Sequence, residues 1–164
     1  MTRIAIRRML RAKKLGTILH VASIAAESVS LFTPLYHASK HRIGSLVMGL
    51  GALDEFCGIR VVGVAPGSIK TPLMLEDPRV AAWIDLKRDK VLDPTVIADA
   101  LIALAENIDN RYPAGTLLEV ADERQENWRI VPLYNNPGPS VTNLTSNIDE
   151  ARSTIRQILK KEAV

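Results

Sequence analysis

Gly58-Ile59-Arg60-Val61-Val62-Gly63-Val64-Ala65-Pro66-Gly67 reads as a single strand with a stop on either side. Ile59 to Ala65 form the strand, Pro66-Gly67 closes it, and Gly58 ends the preceding element, because glycine accepts the left-handed conformation that terminates a helix. Upstream, Thr33-Pro34 is a helix start with Thr33 as the cap and Pro34 in the first turn. That helix is expected to run to about Phe56. Further back, Thr17-Ile18-Leu19-His20-Val21-Ala22-Ser23 is an apolar, β-branched run, too short for a full helix between Gly16 and the loop around Glu27 and Ser28. It reads as a buried strand. Downstream, Asp93-Pro94 repeats the start signal, and Ile97, Ala100, Leu101 and Leu104 mark the buried face of a helix lasting to about Asn107. After Pro113 and Gly115, Thr116-Leu117-Leu118-Glu119-Val120 is a third strand. Strands separated by helices of about 13 residues or more are the pattern of parallel crossovers, since antiparallel neighbours need only short hairpins. The fold class is α/β.

Composition agrees with one domain: 164 residues, 47% hydrophobic and 24% charged, which is ordinary globular usage and excludes collagen-like and disordered classes. The net charge of +3 is too small for a nucleic-acid footprint without a basic stripe. Cys57 is the lone cysteine, so no disulfide within the chain can form, and a reducing, cytoplasmic setting is expected. No apolar run approaches the roughly 18 residues that span a bilayer. The first 26 residues contain no acid and carry Arg3, Arg7, Arg8, Arg11, Lys13 and Lys14. Two readings stay open for this stretch. One is the composition of a mitochondrial transit peptide. The other is an amphipathic helix with Ile6, Met9 and Leu10 on one face, ended by Gly16. From Asp122 the chain turns polar, passes Asn135 to Pro139 and closes with a helix expected from about Ile148 to Lys161.

Tyr36 and Lys40 are four residues apart at the start of a helix, so their side chains fall on one face, one turn apart. The ammonium favours the phenolate and suits the hydroxyl to proton exchange. Ser23 lies thirteen residues before Tyr36, at the carboxyl end of an expected parallel strand, where open α/β sheets place their ligand-binding groups. Pro66-Gly67-Ser68-Ile69-Lys70-Thr71 follows the next strand at the same edge. The long segment from about Pro72 to Leu92 has the length and position of a lid or binding loop.

These residues resemble the short-chain dehydrogenases/reductases. The matching motifs are Gly16-Thr17-Ile18 leading into Ser23, Tyr36-His37-Ala38-Ser39-Lys40, Gly58-Ile59-Arg60-Val61, and Pro66-Gly67 with Thr71. The resemblance covers residues 1 to about 121, a Rossmann-type domain portion, and leaves 122–164 as a polar tail. Within that tail, Trp128 to Pro139 has a slight similarity to NAD-dependent members related to hydroxyprostaglandin dehydrogenase. The resemblance implies hydride transfer between NAD or NADP and a secondary alcohol or ketone, with Tyr36 as the general acid/base. It further implies that Ser23 holds the substrate oxygen and that Lys40 both adjusts Tyr36 and bonds the nicotinamide ribose. Pro66, Gly67, Ile69 and Thr71 would lie against the carboxamide. A homodimer is implied too, because the family often pairs the helix from Pro34 to Phe56 and the helix before Gly16 across a two-fold axis.

The family's opening strand, glycine-rich turn and helix, which hold the pyrophosphate, have no counterpart here. Gly44, Gly49 and Gly51 sit inside an expected helix and read instead as close backbone packing. The chain thus resembles the carboxyl-terminal portion of such an enzyme, with the last three strands of a doubly wound parallel sheet. A second reading is therefore a truncated, non-catalytic chain that serves as an interaction partner. Other candidates have plainer readings. His37 and His41 have i, i+4 spacing but lack the glutamate of a zinc-protease pattern, so they read as solvated or packed helix positions. His20 reads as a satisfied near-core group, Ser28 and Ser30 as less well spaced than Ser23, and Trp83 and Trp128 as pocket-lining or packing. Val62 stands where the family shows asparagine. Asn143-Leu144-Thr145 matches the glycosylation pattern but lacks a signal peptide before it.

Overall fold

The computed structural model describes residues 1–81, 84–132 and 148–163. Trp83, Asn135 to Pro139 and Asn143-Leu144-Thr145 lie outside them. Four strands form one sheet in the order β1 (Gly16–Val21), β2 (Ile59–Pro66), β3 (Leu117–Val120) and β4 (Arg129–Ile130). The first three run parallel, with Val21 opposite Val64 and Val64 opposite Leu118. β4 pairs antiparallel with β3 through Leu118–Ile130 and Glu119–Arg129, a strand that the polar reading of the tail did not anticipate.

Seven helices surround the sheet among the described residues: α1 (Thr2–Arg11), α2 (Pro34–Gly49), α3 (Leu53–Cys57), α4 (Pro72–Glu76), α5 (Pro78–Ala81), α6 (Pro94–Glu106) and α7 (Ile148–Glu162). Side chains alternate across β2, so its two faces pack against different helices. Val62 and Val64, with Leu118 and Val120 of β3, meet Ile97, Ala100 and Leu104 of α6. On the other face Gly63 leaves room for α2: a Cβ there would stand 3.1 Å from Val47 Cγ2 and 3.3 Å from Leu117 Cδ1. This is the α/β layering expected from the sequence.

Several boundaries differ from expectation. The helix from Pro34 tightens into a 3₁₀ turn at Leu50–Ala52 before resuming as α3, and Gly58 ends it at φ +66° as expected. Gly51 and Gly44 do permit close approach, the former 2.9 Å (from an added Cβ) to Gly115 Cα and the latter 3.2 Å to Leu117 Cδ2, whereas Gly49 has open space and no such role. Gly16 does not cap α1. That helix ends at Arg11, Lys13 takes the positive φ of 51°, and Gly16 opens β1. The largest correction concerns β1, expected as a buried strand. Leu19 is 37% and Val21 53% exposed, because β1 is paired on one side alone among the described residues.

α7 packs against α1, and its Ile158 and Leu159 line a cavity with Ile6, Leu10, Leu46 and Leu50. Arg7 pairs with Glu162 at 2.6 Å and Arg156 with Glu55 at 2.7 Å. This is the face that the homodimer expectation used. Among the described residues no helix is long and apolar enough to cross a membrane.

Candidate active site

Two parallel strands deliver the first groups to one edge of the sheet. Ala22 N donates to Val64 O at 2.7 Å, so Ser23 emerges beside the end of β2. Its backbone is extended, and it caps a 3₁₀ turn, Ile24–Ala26. Ser23 Oγ accepts from Ala25 N at 3.2 Å. A hydroxyl that accepts in this way keeps its proton to donate elsewhere.

Pro34 starts α2, which packs against this turn. Tyr36 follows in the first turn of the helix, 48% exposed, and no protein group among the described residues bonds its hydroxyl. Lys40 is half-buried one turn on, with Nζ 5.6 Å from the centroid of the Tyr36 ring. His37 stands edge-on to that ring, centroids 5.9 Å apart at 81°. Its Nδ1 lies 3.1 Å from Thr33 Oγ1, so the Thr33 hydroxyl meets His37 in place of the backbone cap expected of it. His41 Nδ1 is 3.0 Å from His37 O. Both imidazoles thus serve the helix, and no group of three His, Cys, Asp or Glu suited to a metal occurs among the described residues. His20 is half-buried and lies 3.3 Å from Thr2 Oγ1; burial holds its imidazole below the ordinary value.

The turn after β2 is fixed from two directions. Gly67 N donates to Val120 O at 2.9 Å, while Lys70 N to Leu92 O (2.9 Å) and Leu92 N to Ser68 O (2.8 Å) stitch Ile69 to Leu92. Thr71 precedes α4, and its hydroxyl makes no capping bond. The segment expected as a lid holds α4 and α5 and returns to the core at buried Leu92. At its return Lys90 pairs with Asp122, which holds that carboxyl well below the usual carboxylate range. Ser28 bonds back to Ile24 O at 3.4 Å and Ser30 Oγ accepts from Phe32 N at 3.2 Å, so both serve local turns. Trp128 packs on the α6-side core and donates from Nε1 to Asp122 O at 3.0 Å.

One cluster beside the site escaped the sequence reading. Glu27 ends the turn that Ser23 begins, and Arg129 Nη2 donates to Glu27 Oε2 at 2.6 Å. Arg129 Nε also donates to Glu119 Oε2 at 2.6 Å. No spacing rule links positions 102 residues apart; the sole hint was that Glu27 ends a long acid-free stretch.

The arrangement is chemically coherent: a hydroxyl with a proton to give, a phenol beside an ammonium, and a nearby turn with an unspent threonine hydroxyl. For a nicotinamide cofactor the fit is tested by what these groups leave open. Lys40 Nζ has no carboxylate partner among the described residues, and Thr71 Oγ1 is not used in capping, so both suit a ribose hydroxyl and a carboxamide.

Comparison with known proteins gives the same picture. The family model described as short chain dehydrogenase matches residues 1–79. An uncharacterized oxidoreductase of Staphylococcus saprophyticus is 36% identical over 87 residues, which cover 53% of this chain and 34% of that protein. Glucose 1-dehydrogenase of Gluconobacter oxydans is 38% identical over 92 residues, 52% of this chain and 34% of that protein. The chain therefore spans about a third of the length of these curated relatives. Among solved structures, a short chain dehydrogenase/reductase family protein superposes at a TM-score of 0.59 and 30% identity over 73% of this chain and 49% of that one. A gluconate 5-dehydrogenase from Burkholderia cenocepacia in complex with NADP and tartrate superposes at 0.59 and 25% identity, over 73% and 48%. 4-Hydroxyisoleucine dehydrogenase complexed with NADH, at 0.57 and 22% identity over 73% and 51%, shares the fold. Motif order, strand register and these likenesses agree: over residues 1–79 the chain is similar to the short chain dehydrogenases, and it shares the fold of their solved structures.

Proposed function

We propose that the protein is an oxidoreductase in which hydride passes directly between NAD or NADP and a secondary alcohol or ketone, with Tyr36 as the general acid/base. The observation that carries this reading is the Tyr36–Lys40 pair, Nζ 5.6 Å from the ring centroid, on the helix that packs against the Ser23 turn. In oxidation Tyr36 takes the hydroxyl proton of the alcohol as the C–H bond yields its hydride; in reduction it returns a proton to the carbonyl oxygen. Ser23 donates its hydroxyl proton to the same oxygen, where negative charge develops. The Lys40 ammonium stands over the Tyr36 ring as the proton moves. Lys40 would also bond the nicotinamide ribose, and the Pro66-to-Thr71 turn, through backbone groups of Gly67 and Ile69 and the Thr71 hydroxyl, would set which ring face meets the substrate. A nicotinamide bound there supplies or accepts the hydride. The segment from Pro72 to Leu92 closes over a small alcohol or ketone.

Tyr36→Phe removes the acid/base and little else. Turnover is expected to fall by about 10²–10⁴-fold with the folded state unchanged by circular dichroism. Full activity in this variant would overturn the assignment. Titration of NADH fluorescence with the purified chain tests cofactor binding directly. Absence of binding at millimolar cofactor would turn the reading toward a non-catalytic interaction protein.

A further inference from the structure

We infer that Arg129, on the strand β4 of the tail, is a positioning residue for the Ser23 turn; the inference rests on the dehydrogenase reading for the role of Ser23. Ser23 stands at one end of a short loop, and each end of that loop is tied to the sheet differently. Its first end is held by the backbone bond from Ala22 N to Val64 O. Its last residue, Glu27, has its side chain folded inward, 15% exposed, where Arg129 Nη2 meets Oε2 at 2.6 Å. The same guanidinium holds Glu119 of β3, also partly buried, through Nε at 2.6 Å and through Nη2. Arg129 is thus a three-way joint between the loop, β3 and β4.

Apolar packing repeats the connection. Val131, two residues on and just past the strand, is buried in one apolar cluster with Ala22 and Ala26, the residues flanking Ser23 and closing its turn. Val131 N donates to Leu117 O at 2.8 Å, which fixes this wedge to the sheet. Residues 129–131 therefore press on the Ser23 turn with both a charge and a side chain, from a segment beyond the 79 residues that the family model matches.

The energetics favour positioning over bulk stability. Burial pushes the Glu27 carboxyl up, Glu119 pushes it the same way, and Arg129 pulls it back only in part. An ion pair whose attraction does not fully offset desolvation adds little net stability but fixes one geometry. Without Arg129, two carboxylates would face each other across the joint, and Glu27, whose Oε1 is buried without a partner, would turn outward and carry the loop with it.

The test uses the full chain and its Arg129→Ala and Arg129→Lys variants. Amide hydrogen exchange at Ala25, Ala26 and Glu27, protected now by bonds to Ser23 Oγ, Ser23 O and Ile24 O, is expected to accelerate about tenfold or more in Arg129→Ala. The β2 amides should keep their rates, and Arg129→Lys should restore part of the loop protection. With a substrate that supports turnover, Arg129→Ala should lower kcat more than it weakens NADH binding, since Arg129 bonds Glu27 of the Ser23 turn directly and reaches the Gly67 turn only through the backbone of β3. Unchanged exchange at the loop, or equal acceleration throughout the protein, would overturn the inference. Loss of the dehydrogenase reading itself would appear separately, as full activity in Tyr36→Phe with the exchange result intact.

Discussion

β1 and β2 lie side by side, run parallel and read alike as sequence, yet they live in different surroundings. In β2, Ile59, Val61, Val62, Val64 and Ala65 are all fully buried, whereas in β1 Leu19 and Val21 are substantially exposed. The difference is one hydrogen-bonded neighbour: β2 lies between β1 and β3, and β1 meets β2 alone among the described residues. Parallel strands owe their burial to partners and helices on every side, so burial follows position in the sheet more than local composition. The stabilising apolar contacts concentrate at β2, and the proposed chemistry sits beyond the end of β1, where fewer contacts hold the chain.

The sharpest way to break this comparison is one substitution made on each strand. Val64→Ala deletes two buried carbons between α6 and the sheet and should cost about 2–3 kcal/mol. Val21→Ala deletes the same atoms from a residue already 53% exposed and should cost under about 0.5 kcal/mol. Urea denaturation of both reads the difference. Equal costs would mean that the edge of β1 is covered in solution, and the contrast drawn here would fail.

Arg60 sharpens the same comparison, since it joins the two strands across the α6 face. Its Nη1 donates to Thr17 Oγ1 at 3.1 Å, and its Nη2 to Leu104 O at 3.2 Å and Tyr112 O at 2.8 Å. Arg60→Met keeps the apolar stem and strips these bonds, leaving two carbonyls short of a donor. A loss of about 1.5–3 kcal/mol is expected, with hydrogen exchange accelerated at β1 more than at β2. Uniform acceleration would show that Arg60 stabilises the fold without tying β1 to it.

What was legible in the sequence follows the same division. Gly58, Asp93-Pro94 and the Ile97–Ala100–Leu104 spacing act through local backbone preferences and helix periodicity, and each falls where expected: Gly58 at φ +66°, Asp93 capping Thr95 N at 3.0 Å. Tyr36 and Lys40 were legible for the same reason, being one helical turn apart. Gly16 misled because the positive φ that ends α1 fell on Lys13, leaving Gly16 to make room for Met9, whose Cε would be 3.1 Å from an added Cβ. β4 and the Arg129–Glu27 contact were illegible: a strand of two residues has no period to read, and a contact 102 residues long has no local signal. The loop that orients Ser23 depends on these distant contacts, so its position could not be inferred from the motif that names it.

The smallest expected effect is a pH dependence that separates Glu27 from Asp93 by sign. Burial chiefly, with Glu119 in support, raises Glu27 above its ordinary value of 4.5. The folded protein therefore binds that proton more tightly than the unfolded chain, and stability falls as pH rises from 4.5 through the folded value. Asp93 behaves oppositely. The Thr95 hydroxyl and amide hold it below 3.8, so its contribution is present above 3.8 and is lost as pH falls through the folded value. Thermal melts across this range should show a shallow rise in melting temperature on acidification toward 4.5 and a fall below 3.8. Glu27→Gln should flatten the upper slope and spare the lower one, whereas Asp93→Asn should remove only part of the lower slope, because Asp122, held low by Lys90, contributes to it as well. An upper slope that survives Glu27→Gln would mean that the carboxyl under Arg129 is not the group being titrated, and the Ser23 turn would then be free of the charge balance that the β4 joint imposes on it.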